Sequence, residues 1–521
     1  MHLRYLPVWV YMIAWSVLLA QPSKHTITMA SSDNVGALNP QGYSKNAMFA
    51  QNMVYEGLVK LDKKGDIIPS LATSWIVSDD GTTYTFFLRK NVRFSNGEVF
   101  NADAVVLNFT SLLKNRERHS WAGLMQALKQ VQKLDSHTIR LTLKHPYTPT
   151  LNELAAVRPF RFLAPSAFPS DLDLIKHNPK PIGTGAYMLT ESKLGISDTF
   201  TKNPYYWDAD RYGGIYFDEV AIKVIFDPNA KLAALKTGQV DILYGQDMIP
   251  IEIFQSITKD KRFSTYLSPP IFTTFLVLNP ASSKLAKTSV RQGISMGINK
   301  DDLVYGVYAN LAKKADRFYG LESLAALKLP SFPIYDKILA QQALEQKPTN
   351  DISTRSEPIV LELLFVSDNP AQKMLAEIIQ AQLKEIGITI RLVGAEPTIY
   401  RNRQASGAFE LALTDSWGAP YEPLSHLYSM KTRGHIDYVV LNALAQKQTL
   451  YHLIDTAIGT TDSKALQNAL KNILTILTES NAYLPLAYQR NKAIMRKGIK
   501  GVNMGVLVAE IPFWEWYEES Q

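Results

Sequence analysis

Three features of this sequence predict an α/β fold divided into two lobes. Strand-like and helix-like segments alternate along the whole chain, as α/β architectures require. The 521 residues exceed the roughly 250–300 that one hydrophobic core organises, so two or more domains are expected. Two strand-like stretches far apart in the chain, 272–278 and 481–487, are placed to cross between lobes. That arrangement assigns 21–267 plus 490–521 to one lobe and 268–489 to the other.

The elements follow in order. Thr83–Leu88 alternates like a strand, and Ser95-Asn96-Gly97 is a turn signal before Val99. Asn101 or Asp103 is a candidate N-cap for a helix reaching Leu113. The stretch 138–144 alternates again. Ser268-Pro269-Pro270 punctuates the chain before the first crossing strand. Val290, Ile294, Ile298 and Val304 recur at helical spacing through 289–304. The stretch 315–358 is rich in Pro and Lys and reads as irregular, with one short helix over 338–346. Ile359–Val366 is a buried strand, 369–386 an amphipathic helix ended by Gly387, and 388–393 a second strand, which together form a βαβ unit. A further strand over 409–414 runs into Trp417-Gly418-Ala419-Pro420-Tyr421.

The first residues predict export. His2 and Arg4 precede an apolar run from Leu6 to Ala20, followed by polar Gln21-Pro22-Ser23-Lys24. This is the pattern of a secretory signal peptide over residues 1–20. Cleavage is expected after Ala20, although Leu18 stands where a small residue is usual. The run is short for a bilayer span, and no later segment approaches that length. There is no cysteine, which excludes disulfides, thiolate metal sites, cysteine nucleophiles and a lipidated N-terminal cysteine. A free, soluble protein of a Gram-negative periplasm is expected. The net charge of +7 is scattered rather than massed, which suits anionic ligands better than nucleic acid.

A search for reactive groups gives few candidates. Gly293-Ile294-Ser295-Met296-Gly297 matches G-x-S-x-G, yet no strand enters it, and a nucleophile elbow needs a strand, a turn and a helix. The nine histidines include His119, His426 and His435, and none forms a metal-ligand spacing with another. Gly183-Thr184-Gly185 lacks the third glycine and helix of a dinucleotide loop. Aromatic residues and arginines are more suggestive. The chain has 25 Tyr, 21 Phe and 8 Trp, with Arg116, Arg118 and Trp121 close together and Arg158, Phe160, Arg161 and Phe162 likewise. Guanidinium forks bind carboxylates, and aromatic rings supply rigid walls. Packed core rings and surface arginines would produce the same pattern.

These same residues carry a resemblance. Tyr55-Glu56-Gly57-Leu58, Phe94-Ser95-Asn96-Gly97, Gly183-Thr184-Gly185-Ala186-Tyr187, Asn203-Pro204-Tyr205-Tyr206-Trp207 and Val290-Arg291-Gln292-Gly293-Ile294 resemble the peptide- and nickel-binding class of ABC-importer solute-binding proteins. Asn34 to Pro40, Met48-Phe49-Ala50-Gln51, Asn115 to Trp121, Arg158 to Ser166 and Trp417 to Pro423 are most similar to its nickel-binding branch. The resemblance implies a two-lobed periplasmic binding protein of type II that closes on a cleft, with a subdomain inserted in the N-terminal lobe over about 66–200. It implies no enzymatic activity and no prosthetic group. The cargo would be nickel, complexed with a small carboxylate-bearing chelator such as free histidine. ABC permease and ATPase subunits would be the partners of a monomeric carrier.

Carried over by position, Arg158 would bind a chelator carboxylate and Arg118 would reinforce the positive field. Tyr43, Met48, Trp121, Tyr400, Trp417 and Tyr421 would line the cavity, and His435 would be the protein's metal ligand. Imidazole suits Ni²⁺, and a single protein ligand leaves release feasible. The sequence departs from the branch at Ser44 and Lys45, at Ala47, at Asp415 and through 315–358, which bears on chelator identity. A carrier of di- or oligopeptides or haem, on the same fold, is the alternative. An exported hydrolase using Ser295 or a metal is a third reading.

Overall fold

The computed structural model describes residues 25–43, 48–245, 248–345, 358–416 and 422–519. The expected signal segment, Gln346 of the expected short helix, and Trp417 and Tyr421 lie outside them. Among the described residues, eleven strands join in one mixed sheet. Its order is Ile388–Ala395, Ile359–Val366, Leu411–Asp415, Phe263–Leu278, Tyr483–Arg496, Ile242–Tyr244, Thr26–Ser31, Glu219–Val224, Ser197–Lys202 and Tyr187–Lys193, with Lys313–Lys314 pairing on Tyr483–Arg496. The βαβ unit forms as the pattern predicts. Ile359–Val366 pairs parallel with Ile388–Ala395, and the helix Pro370–Lys384 connects them, capped by the Asn369 side chain and followed by Gly387 at φ +86°.

The two crossing strands are longer than their patterns suggest. Phe263–Leu278 and Tyr483–Arg496 pair antiparallel along nearly their whole length. One end of this ribbon carries Ile242–Tyr244 and the other Leu411–Asp415, so it belongs to both halves of the sheet. Pro269-Pro270 looks like a terminator because proline donates nothing to a ladder. Here the register shifts around Pro270 instead. The Ser268 hydroxyl accepts the Asn491 N–H at 2.8 Å, and its carbonyl accepts from the Arg490 guanidinium at 2.6 Å. These bonds supply partners where the ladder is interrupted.

The helical pattern over 289–304 resolves into two helices, Thr288–Met296 and Lys300–Tyr308. The Asn299 side chain accepts from the Asp301 N–H and starts the second one. The irregular stretch contains the helix Lys337–Glu345.

A separate four-stranded antiparallel sheet, ordered Ala72–Val77, Thr83–Leu88, Thr138–Leu143 and Leu128–Asp135, forms a subdomain with the helix Ala102–Lys114. Phe160 and Phe162 pack into its core against Phe109 and Phe100, with ring centroids 6.2 and 5.7 Å apart. The subdomain also touches the opposite lobe. The Thr148 N–H donates to the Ile458 carbonyl at 2.7 Å and its hydroxyl to the Thr460 carbonyl at 2.6 Å. Beside them, Tyr147 meets Tyr428 edge-on at 5.7 Å.

Candidate functional site

Three of the expected pocket residues converge on a fourth, Tyr43. The Arg118 and Arg158 guanidinium carbons lie 5.4 and 5.0 Å from the centre of the Tyr43 ring, a cation–π arrangement. Trp121 Nε1 donates to the Tyr43 hydroxyl at 2.7 Å. That hydroxyl also lies 2.5 Å from His119 Nδ1. Indole N–H is only a donor, so the phenol accepts from Trp121. His119 is neutral, and its Nε2 is buried with no hydrogen-bond partner among the described residues.

Burial keeps both groups neutral. It pushes the Tyr43 phenol up to about 12 against the opposing effects of Trp121, Arg158 and Arg118. Burial, with Arg118 adding to it, pushes the His119 imidazole down to about 4. The phenol is thus committed to two protein partners, and its ring is flanked by two cations. His119 escaped the sequence reading because a lone histidine carries no spacing signal. Its place between Arg118 and Trp121 was the available clue.

The neighbouring arginines behave differently. Arg116 donates to the carbonyls of Leu128 and Gln126, and the buried Arg161 to those of Ala155 and the Asn52 side chain. They tie loops together. Arg158 is partly buried, and burial lowers its guanidinium from the usual value while still leaving it charged.

The loop bearing Arg118, His119 and Trp121 ends in a buried anchor. Glu153 accepts from the Gly123 and Leu124 N–H groups at 3.1 and 2.9 Å and from the Tyr147 hydroxyl at 2.5 Å. A Cβ on Gly123 would lie 2.2 Å from the Tyr147 hydroxyl, so the anchor requires glycine there.

The other expected residues sit elsewhere. Met48 opens the helix Met48–Val54 and lines a cavity of about 620 Å³ between the lobes. Tyr400 is buried and donates its hydroxyl to the Leu413 carbonyl; burial, then Asp415, raises its phenol. His435 caps the helix Ile436–Ala443 by position, half-buried. Burial lowers its imidazole, Asp437 opposes this, and His426 adds to it. It stays neutral, the form that ligates a metal. His426 is buried among lobe residues, 2.7 Å from the Tyr319 hydroxyl and 3.6 Å from Asp437, and so has a structural role. Among the described residues, no three His, Asp or Glu side chains cluster as a metal cage.

The hydrolase reading fails on geometry. Ser295 is fully buried inside the helix Thr288–Met296, and its hydroxyl bonds back to the Arg291 carbonyl at 3.0 Å.

Known proteins resemble the chain over nearly its full length. It is 36% identical over 495 residues to the nickel-binding periplasmic protein of Escherichia coli strain K12, covering 94% of this chain and 93% of that one. The crystal structure of NikA from Brucella suis in complex with Fe(III)-EDTA superposes with a TM-score of 0.89 at 36% identity, covering 95% of this chain and all of the other. NikZ from Campylobacter jejuni in complex with Ni(L-His) shares the fold, with a TM-score of 0.76 at 22% identity and the same coverage. The pattern of bacterial extracellular solute-binding proteins, family 5 middle, matches residues 66–438. These are binding proteins of transport systems. On a match across most of its length, the protein belongs to the bacterial extracellular solute-binding proteins, family 5.

Proposed function

We propose that this solute-binding protein captures nickel, complexed with a small carboxylate-bearing chelator such as free histidine, and delivers it to the permease and ATPase of an ABC importer. The observation that carries the reading is the pair of guanidinium groups, Arg118 and Arg158, held over the Tyr43 ring. Arginine stays charged at any working pH and forks onto a carboxylate. Neutral His435 supplies the one protein ligand to the metal, and the chelator supplies the rest. Met48 lines the interlobe cavity, and Trp121, Tyr400, Trp417 and Tyr421 are assigned to its walls by resemblance alone. We divide the lobes at 267/268 and 489/490, and the register shifts of the paired crossing strands around Pro270 support that division. The periplasmic relatives support a periplasmic carrier, for which residues 1–20 would be the cleaved signal peptide.

Calorimetric titration of the mature apo protein tests this. Ni²⁺ with free L-histidine is expected to bind tightly, and Ni²⁺ alone much more weakly. Tight binding of tripeptides with no response to nickel and histidine would sink the reading.

A further inference from the structure

A second cavity, of about 40 Å³, shares no lining residue with the interlobe one. Asn52, Glu56, Lys60, Arg161 and Glu510 are among the residues that line it. One water needs roughly 10–15 Å³, so the space suits one to a few water-sized species and no metabolite. Arg161 is only 5% exposed. Its acceptors are the Ala155 carbonyl at 3.0 Å and Asn52 Oδ1 at 3.2 Å, both neutral. Among the described residues, no carboxylate pairs with this guanidinium at ion-pair distance. Its Nε and Asn52 Nδ2 are both buried without an acceptor. The Asn52 amide cannot turn to relieve this, because its oxygen already accepts from Arg161. Gly57 makes room for the guanidinium, since a Cβ there would lie 2.5 Å from Arg161 Nη1.

The two carboxylates that line the space are engaged elsewhere. Glu56 Oε2 accepts from the Thr184 hydroxyl at 2.8 Å and from Trp207 Nε1 at 2.9 Å. Burial raises the Glu56 carboxyl, with Lys60, Trp207 and Thr184 opposing, which weakens it as a counter-charge. Glu510 pairs with Lys63 at 3.3 Å. Burial lowers the Arg161 guanidinium to about 10, with Glu56 and Glu510 opposing, so it stays charged. A buried cation with an unused N–H, beside a second unused N–H, favours an acceptor that carries negative charge. We propose that this cavity is a binding site for a monoatomic anion of the chloride class, held by Arg161 Nε–H and Asn52 Nδ2–H. Chloride accepts from both donors and neutralises the guanidinium, whereas water accepts without neutralising it. Asn52 lies on the helix that Met48 opens, and Arg161 lies three positions after Arg158. The anion therefore ties together the two segments that carry Met48 and Arg158.

Melting of the mature apo protein would be followed in sodium chloride and in sodium gluconate at matched ionic strength. Crystals soaked in sodium bromide would be measured at the bromine absorption edge. Chloride is expected to raise the melting temperature by about 1–2 °C more than gluconate, and the increment should saturate. An anomalous bromide peak is expected within hydrogen-bond distance of Arg161 Nε and Asn52 Nδ2. Asn52→Asp keeps the acceptor for Arg161 and places a carboxylate where the anion would sit. It should lose both the chloride increment and the peak. Equal melting in the two salts, or no bromide peak at this pair, would mean that the cavity holds water only and would overturn the site. A peak with no saturable shift in solution would mark an adventitious ion only and would overturn it as well. So would a peak or an increment that survives Asn52→Asp. Should that variant fail to fold, the native melting and the native bromide map decide by themselves.

Discussion

At the scale of single residues, Tyr43 has two separable jobs. Its hydroxyl satisfies Trp121 and His119, and its ring faces two guanidinium groups. Tyr43→Phe keeps the ring and removes one hydrogen-bond partner from the buried His119 and one from the half-buried Trp121. A stability loss of about 1–3 kcal/mol is expected in urea denaturation. Tyr43→Leu should lose the same stability and, in addition, weaken binding of the nickel–histidine complex, because the cation–π contacts go with the ring. Equal binding losses in the two variants would show that the hydroxyl, and not the ring, sets the arginines. His435→Ala should weaken binding of the complex. Arg158→Ala should weaken it further, by roughly tenfold to a hundredfold, because the chelator carboxylate is left without its partner. Calorimetry on both variants checks this ranking, and unchanged affinity in both would mean the pocket is elsewhere.

At the scale of elements, local pattern and packing disagree in instructive places. The strand Thr83–Leu88 and the Asn101 and Asn369 caps follow from side-chain alternation and cap chemistry, which are local. The crossing strands run past Pro269-Pro270 because a serine side chain and an arginine from the partner strand replace the missing ladder bonds. No local pattern announces that rescue. The anchor behind the Arg118 loop has a consequence for pH. Burial raises the Glu153 carboxyl from its ordinary 4.5 to about 7, with Tyr147 and the Gly123 and Leu124 N–H groups opposing and Glu422 adding. Between those values the native protein holds a proton that the unfolded chain releases. Stability from this group is therefore present at low pH and lost as pH rises from about 4.5 to about 7. Glu422, also raised mainly by burial, pulls in the same direction. Glu153→Gln, neutral throughout, should flatten the decline in melting temperature between pH 5 and 7.5 by a few degrees. A slope identical to the native one would show that Glu153 is ionised in the fold.

At the scale of the molecule, the subdomain reaches across to the other lobe through Thr148 and Tyr147. These contacts cross from the subdomain to the other lobe, so removing them weakens that junction. Tyr428→Ala combined with Thr148→Ala should favour opening by about 1 kcal/mol and speed ligand release about fivefold, measured by stopped-flow fluorescence. An unchanged release rate would mean that the ligand alone holds the lobes together. The sequence by itself determined the α/β class and the βαβ unit, since each depends on periodicity or on neighbours within a few residues. Motif resemblance pointed to Arg118 and Arg158. Only the tertiary structure separated them from Arg116 and Arg161, and brought His119 against Tyr43, 76 residues away. Arg116 and Arg118 stand two positions apart on one short 3₁₀ turn, yet one is spent on backbone carbonyls and the other lies over the Tyr43 ring. Spacing along a chain records which side chains share a turn. What each one meets depends on segments that pack against that turn from far away in sequence, and that information is not local.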